Sequence, residues 1–196
     1  MTEKVYTKPK FMTTPQPPDK KLAKKIGLGS ALYLKREDLH PYGSHKGRSI
    51  PIMIKKYQQS GWNNFCISSS GNAALAAAMY INKYNHQHSD RDPSSSLPCT
   101  ELCSGTGLGM TKKLNLKIFV GKNIDKNKLK TIEALTNKNV TMEKIKNPKQ
   151  AAFQMDKKRA AKNLRQSTDD SALTGYEALA AELAKIKNLA AVFIPT

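Results

Sequence analysis

Short apolar runs and helix-spaced apolar residues alternate along the chain. Residues 64–68, 116–120, 140–142 and 190–194 are short apolar runs that predict buried strands. Residues 31–35 alternate apolar and long polar side chains, which also predicts a strand. The sequence therefore predicts five strands.

Between these runs the apolar spacing predicts helices. Residues 46–57 place Ile50 and Ile54 on one face, and 71–84 is rich in alanine. Further helices are predicted over 125–136, capped by Asp125; over 148–163, with Pro148 near the first position; and from Thr174, with Glu177 completing a capping box.

Alternating strands and helices predict an α/β fold with a mostly parallel sheet flanked by helices. One segment interrupts the alternation. Residues 85–115 are polar and rich in serine and glycine, and loops of this length are uncommon in a compact domain. We therefore predict a flexible insertion there.

The composition limits the class of protein. A chain of 196 residues with 39% hydrophobic content can bury one domain, or one domain and part of another. Residues 1–18 form a Pro-rich arm without a signal-peptide core, and the longest apolar run, 73–81, is too short for a membrane span. We predict a cytoplasmic protein.

A net charge of +18 raises the alternative of a nucleic-acid-binding protein. The excess consists mainly of single lysines spread along the chain, as on solvated helix faces. Aromatic residues do not alternate with arginine in a way that would stack bases. Nucleic-acid binding is therefore the less favoured interpretation.

The three cysteines are too few for a disulfide framework. Cys66 lies in a predicted strand and is expected to be packed. Two histidines and two cysteines form a weak candidate zinc site, because their spacings fit known structural zinc patterns poorly and a surface loop explains them as well. These four residues are His86, His88, Cys99 and Cys103.

Lys46 is a candidate Schiff-base lysine. It follows the turn residues Gly43 and Ser44 and opens a predicted helix. A helix N-terminus and a nearby cation such as Arg48 both favour the unprotonated amine. The alternative is that Lys46 is one of many surface lysines.

Ser69, Ser70, Gly71 and Asn72 form a candidate anion site. They join a predicted strand to a predicted helix, so amides and hydroxyls converge at the helix N-terminus. The alternative is a plain helix cap that binds nothing. Both this segment and Lys46 lie where open α/β sheets bind ligands.

Residues 31–81 resemble the start of the fold-type-II enzymes that depend on pyridoxal 5′-phosphate (PLP), which include the tryptophan synthase β chain, threonine synthase, threonine dehydratase and cysteine synthase. Residues 43–48 (Gly-Ser-His-Lys-Gly-Arg) are similar to the family's Gly-Ser-Phe-Lys-Asp/Gly-Arg. Residues 69–74 (Ser-Ser-Gly-Asn-Ala-Ala) are similar to its Ser-Ser-Gly-Asn-x-Ala. Residues 35–38 resemble the family's Lys-x-Glu strand that precedes these motifs, and 117–120 and 175–183 fit its later strand and helix in order.

The resemblance implies PLP as cofactor and a role for each matching residue. Lys46 would form the internal aldimine and move the Cα proton, and Asn72 would bond the cofactor's 3′-oxygen. Ser69, Ser70 and Gly71, with Asn72, would hold the substrate carboxylate. The implied reaction is β-elimination or β/γ-replacement on serine, threonine or a phosphorylated homoserine, as in threonine synthase or threonine/serine dehydratase.

The chain departs from the family at His45, where an aromatic residue is usual. This histidine either tunes proton transfer or fills space, and the second interpretation is favoured. The phosphate loop and the residue at the pyridine nitrogen would follow the run 190–194. The chain is therefore interpreted as a fragment of a PLP-dependent enzyme. The alternative is a non-catalytic or split-half PLP-binding module, and the candidate partners are a second copy of the chain or a missing C-terminal half.

The resemblance also implies a domain division. Residues 1–18 would be an extended arm, and 19–55 the first elements of a large domain with the lysine segment. Residues 56–158 would form a small α/β domain containing the insertion 85–115. Residues 159–196 would return to the large domain.

Overall fold

A computed structural model describes residues 13–88 and 112–194 of the chain. Six α-helices and four β-strands occur in these ranges, with two short 3-10 turns at Glu37–Leu39 and Gln166–Thr168. The helices are α1 (Lys20–Lys25), α2 (Lys46–Gln59), α3 (Asn72–Gln87), α4 (Lys126–Glu133), α5 (Pro148–Lys157) and α6 (Ser171–Leu183). The strands are β1 (Asn64–Ser68), β2 (Asn115–Gly121), β3 (Val140–Ile145) and β4 (Lys162–Asn163).

The four strands form one parallel sheet in the order β3-β2-β1-β4. Phe65 of β1 lies between Leu116 of β2 and Lys162 of β4, which fixes the register at the centre of the sheet. A parallel sheet needs helical crossovers, and α3 and α4 supply them between β1, β2 and β3. The predicted α/β class with a parallel sheet is confirmed.

One hydrophobic core joins the sheet to α2, α3 and α6. The central strands are buried on both faces, so they consist of continuous apolar runs. Alanines of α3 allow that helix to lie close to the sheet. The fully buried side chains include Ile50, Met53, Ile54, Phe65, Ile81, Leu116, Ile118 and Val140.

Helices α2 and α6 approach each other closely at Gly175. A Cβ atom at this position would lie 2.4 Å from the carbonyl oxygen of Arg48 and 2.4 Å from Cα of Ser49. Only glycine permits this contact without a shift of the backbone. Residues far apart in sequence are thereby brought against the first turn of α2.

Two predicted strands are wrong. Residues 31–35 contain only an isolated antiparallel bridge between Tyr33 and Pro18, with a flanking bond from Leu34 N to Pro17 O. In the described part of 190–194 no strand forms, and Phe193 and Ile194 are exposed. An apolar run becomes a strand only where a neighbouring strand satisfies its backbone, and none lies beside this one among the described residues.

Helices α5 and α6 each have one boundary that differs from the prediction. Helix α5 ends at Lys157, because the backbone turns at Arg159 (φ 54°) and then enters β4. Helix α6 begins at Ser171, before Thr174, so the predicted capping box is wrong; Asp169 accepts a bond from Ser171 N instead. The predicted Asp125 cap is confirmed by bonds from the amides of α4.

The predicted insertion 85–115 is shorter at both ends, because α3 extends to Gln87 and β2 begins at Asn115. The remainder, 89–111, lies outside the described residues. Of the helices in the described ranges, none has both the length and the hydropathy that a bilayer crossing requires.

Candidate functional site

The N-termini of α2 and α3 lie toward the same edge of the sheet. Helix α3 starts directly after β1 and must run back along it to reach parallel β2. A short turn connects the end of α2 to the start of β1, so α2 is also antiparallel to that strand. Helix α2 packs against α3. Lys46 and Asn72, the first residues of the two helices, therefore lie toward the carboxyl edge of β1, where open sheets bind ligands.

A tight turn holds Lys46 at the start of α2. Gly43 has a φ of 73°, which glycine adopts without strain. Ser44 is buried, and its Oγ accepts a 3.3 Å bond from Lys46 N while its carbonyl accepts a 2.9 Å bond from Gly47 N. The Lys46 side chain is half-buried. The predicted Gly-Ser turn before the lysine is present.

The side chain of His40 contacts this turn and stabilises it. Its Nδ1 accepts a 3.2 Å bond from Tyr42 N, and a Cβ atom at Gly47 would lie 2.4 Å from the same nitrogen. Burial and the charge of Arg48 lower the pKa of His40, which favours the neutral ring that can accept this bond. His40 was not predicted as a site residue, and no local pattern distinguishes it.

The segment between β1 and α3 presents small polar groups to open space. Ser69 Oγ accepts a 3.3 Å bond from Gly71 N, and Gly71 is the N-cap residue of α3. A Cβ atom at Gly71 would meet no heavy atom of the described residues within 4 Å. Asn72 is exposed and Ser70 half-exposed. The segment can receive an anion at the helix N-terminus.

His45, which precedes the lysine, packs against Tyr176 of α6. Their ring centroids are 6.2 Å apart. The Tyr176 hydroxyl lies 3.1 Å from Ser49 Oγ and 3.2 Å from Nε2 of Gln166, and Gln166 also donates to Ser49 Oγ. Burial and the neighbouring charge of Lys46 lower the pKa of His45, against a smaller opposing effect of Glu37.

Arg48 turns away from Lys46 into a buried ion cluster. Its guanidinium donates to Glu37 (Nε to Oε2, 2.7 Å) and Glu182 (Nη1 to Oε1, 2.8 Å), and Lys35 donates to Glu182. Thr14 adds a hydroxyl 3.0 Å from Nη2. Burial is the largest single effect and raises the two carboxyl pKa values, but the combined bonds and charges of Arg48, Lys35 and Thr14 outweigh it and lower both pKa values. The positive charge predicted beside Lys46 is thus neutralised by two carboxylates.

A groove of about 500 Å³ lies beside β4, between α5 and the residues that follow the strand. Lys162 lines the groove, and its Nζ lies 3.2 Å from Asp156 Oδ2 and 4.9 Å from the ring centroid of Tyr57. Lys149 and Arg165 add positive charge, so the groove carries more cations than carboxylates. It reaches Ser68, the last residue of β1.

The candidate zinc site remains a prediction. His86 and His88 lie at the end of α3, where the His88 ring is 4.3 Å from that of Tyr84. Cys99 and Cys103 lie outside the described residues. Within 13–88 and 112–194, His, Cys, Asp and Glu form no group of three that suits a metal ion.

This geometry defines an α/β protein in which a lysine and a candidate anion-binding segment lie toward the carboxyl edge of a parallel sheet. Residues 11–88 match the family model described as pyridoxal-phosphate dependent enzyme. The match covers the segment that holds Lys46 and residues 69–72, and it indicates pyridoxal phosphate as the cofactor of the family that this segment resembles.

Individual relatives agree with the family. The chain is 38% identical over 60 residues to a threonine synthase of Methanosarcina acetivorans, covering 31% of this chain and 15% of the relative. It is 32% identical over 125 residues to an L-serine dehydratase/L-threonine deaminase of Bos taurus, covering 61% of this chain and 37% of the relative. The chain therefore spans well under half the length of these curated relatives.

The solved structure of threonine deaminase isoform 2 from Solanum lycopersicum shares the fold, with a TM-score of 0.61 and 18% identity. The match covers 90% of this chain and 43% of that one. The fold is that of the fold-type-II PLP enzymes, as predicted.

Proposed function

We propose that this chain carries the lysine-bearing part of a PLP-dependent enzyme that performs β-elimination or β/γ-replacement on an amino acid. The observation that carries the proposal is the placement of Lys46 at the first residue of α2, toward the same sheet edge as the segment 69–72. The relatives named threonine synthase and L-serine dehydratase/L-threonine deaminase support this reaction class.

The residues present fit PLP. Lys46 supplies a primary amine, which is the group that bonds the cofactor's aldehyde. The start of α3 supplies amides beside Ser69 and Ser70, and the space that a Cβ at Gly71 would enter is open among the described residues. The amine and the anion-binding groups thus occur at one edge of the sheet.

When bound, PLP supplies the electron sink for bond breaking at the substrate Cα. We propose that Lys46 holds the cofactor and moves the Cα proton through Nζ. Asn72 would orient the cofactor through its side-chain amide, and Ser69, Ser70 and Gly71 would bind the substrate carboxylate. The turn at Ser44 and Gly47 fixes the lysine backbone, which limits the positions its amine can reach.

The charges that line the groove beside β4 favour a particular class of substrate. Asp156 is paired with Lys162, and Asp169 accepts from Tyr57 and Ser171, which leaves Lys149 and Arg165 as the less compensated charges. We therefore propose a substrate with an anionic side-chain group, such as a phosphorylated hydroxyl. Thermal protection by O-phosphoserine that exceeds protection by serine, and that Arg165→Ala reduces, is the expected result.

A PLP titration tests the function. We expect an absorption band near that of a lysine–PLP adduct, followed after borohydride reduction by a label on Lys46. Lys55→Ala is the matched control, because Lys55 is an exposed lysine of the same helix. Lys46→Ala should remove the label and Lys55→Ala should not. Label spread evenly over many lysines in the wild type would overturn the proposal.

The alternative within the same family is a non-catalytic or split-half PLP-binding module. Leu173, Phe193 and Ile194 are exposed apolar side chains, which favours association with a complementary half or with a second copy. Mixing the chain with the complementary half of a relative and measuring keto-acid formation separates the two. Activity restored by mixing supports a split enzyme.

Nucleic-acid binding is the remaining alternative. It predicts DNA affinity that falls steeply with salt and prefers one sequence or structure over others. Weak binding without such preference is expected if the charge of +18 lies on solvated surfaces. We also propose that the protein works in the cytoplasm, in keeping with its few cysteines.

A further inference from the structure

The residue before the candidate lysine, His45, is held by a residue 131 positions farther along the chain. His45 is the N-cap residue of α2, and its backbone is already helical (φ −55°, ψ −23°), so its side chain does not serve as an ordinary helix cap. The imidazole instead packs against the ring of Tyr176. This contact joins α6 to the residue that immediately precedes Lys46.

Tyr176 is itself fixed on its other side. Ser49 is fully buried, and its Oγ lies 3.1 Å from the Tyr176 hydroxyl and 3.5 Å from the carbonyl oxygen of Lys46. Gln166 places one amide group within reach of both hydroxyls. The cluster His45–Tyr176–Ser49–Gln166 therefore contacts the lysine segment twice, through its side-chain neighbour and through its main chain.

We propose that Tyr176 is a positioning residue for Lys46, acting through the ring of His45 and through the Ser49 hydroxyl. The inference rests on the proposed function only because that function assigns Lys46 as the amine that holds the cofactor. The contact between α2 and α6 at Gly175 makes the arrangement rigid, because the two backbones cannot separate without breaking close packing.

Two contacts orient the Lys46 segment. The ring packed against His45 and the Ser49 hydroxyl beside the Lys46 carbonyl restrict the backbone from which the Lys46 side chain extends. Capture of an aldehyde at a fixed place needs that restriction, whereas reaction with a small unspecific reagent does not. The ring of His45, not its protonation, is the contact, so phenylalanine should replace it.

Competitive acetylation with acetic anhydride tests the proposal without PLP. Mass spectrometry measures the acetylation of Lys46 relative to Lys55 in the intact chain. Tyr176→Phe removes the hydroxyl and keeps the ring, and we expect the Lys46/Lys55 ratio to rise about threefold, as for loss of one net hydrogen bond. Tyr57→Phe is the matched control, because it removes a hydroxyl bonded to Asp169 at the far end of α2.

A second pair of variants distinguishes a loss of Lys46 positioning from a general loss of packing. His45→Ala should raise the ratio and His45→Phe should leave it near the wild-type value. An unchanged ratio in both Tyr176→Phe and His45→Ala overturns the proposal, as does an equal rise in Tyr57→Phe. Rates of PLP labelling at Lys46, measured on the same variants, should fall where the acetylation ratio rises.

The two hypotheses fail in different ways. If PLP labels no particular lysine in the wild type, the proposed function is wrong, and the acetylation ratios still decide whether Tyr176 positions Lys46. If PLP labels Lys46 but the ratios do not respond to Tyr176, the function stands and the positioning role is wrong.

Discussion

Arg48 donates a 2.8 Å hydrogen bond from Nη1 to Oε1 of Glu182, and so joins the first turn of α2 to the last turn of α6. Both side chains are buried, with 3% and 8% of their area exposed. Glu37 accepts a hydrogen bond from Nε of the same guanidinium, and Lys35 also contacts Glu182. Two cations and two carboxylates thus form one buried, neutral cluster beside the candidate site.

Removing one charge from this cluster should destabilise the protein. Glu182→Gln keeps the shape of the side chain but leaves Arg48 and Lys35 opposite a single carboxylate. We expect a loss of about 3 kcal/mol in the free energy of unfolding, as for a broken buried pair. Urea denaturation measures it, with the exposed Glu177→Gln in the same helix as control. Equal losses in the two variants would contradict the cluster's role.

The same cluster predicts acid sensitivity. The folded protein holds the pKa values of Glu37 and Glu182 below their ordinary values, so the unfolded chain binds more protons in moderate acid. Their stabilisation is complete above the ordinary glutamate pKa of about 4.3 and is lost as pH falls below it. The free energy of unfolding measured between neutral and strongly acidic pH should fall less steeply in Glu182→Gln than in the wild type. Parallel profiles would show that Glu182 does not contribute.

Gly175→Ala tests the contact between α2 and α6. A methyl group there would lie 2.4 Å from Arg48 O, and overpacking costs about 1–3 kcal/mol. Helix propensity alone predicts the opposite sign, because alanine is favoured over glycine inside a helix by about 1 kcal/mol. Gly121→Ala is the control, since its Cβ would meet no described heavy atom within 4 Å. A stabilised Gly175→Ala variant would show that the helices separate freely.

Cys66 should be chemically silent in the folded protein. Burial in β1 raises the pKa of its thiol to about 12, and Sγ lies 3.5 Å from Ala152 O. Because the thiolate is the reactive form, we expect no alkylation by iodoacetamide at mildly alkaline pH until urea unfolds the chain. The measurement uses a Cys99→Ser/Cys103→Ser background. Rapid alkylation of the native protein would mean that the strand opens locally.

The sequence predicted correctly those helices and strands whose apolar pattern and flanking turns lie within a few residues. Helix α2 and strand β1 were predicted because their apolar patterns and flanking turns are complete within a few residues. The run 190–194 has the same pattern but forms no strand, since a strand depends on a neighbour that the pattern does not encode. The 3.6-residue spacing continued past Lys157, but a turn at Arg159 ended α5 earlier.

The candidate site shows the same limit. Lys46 and the segment 69–72 could be proposed because their motifs are contiguous in the sequence, and the family match lies over the same region. The supports of Lys46 could not be predicted. Arg48 pairs with a carboxylate 134 residues away, and His45 packs on Tyr176, so both partners are set by the contact between α2 and α6.

Gly47→Ala should damage the lysine turn more than it damages the fold. A methyl group at Gly47 would lie 2.4 Å from His40 Nδ1 and 2.7 Å from Tyr42 Cβ, so the turn must shift and carry Lys46 with it. We expect a loss of about 1–3 kcal/mol in stability, and PLP labelling of Lys46 that falls toward the level of a surface lysine. Gly29→Ala, where a Cβ meets no described heavy atom within 4 Å, should change neither quantity. If Gly47→Ala keeps the wild-type labelling of Lys46 although its stability falls, the turn supports the fold but does not place the lysine.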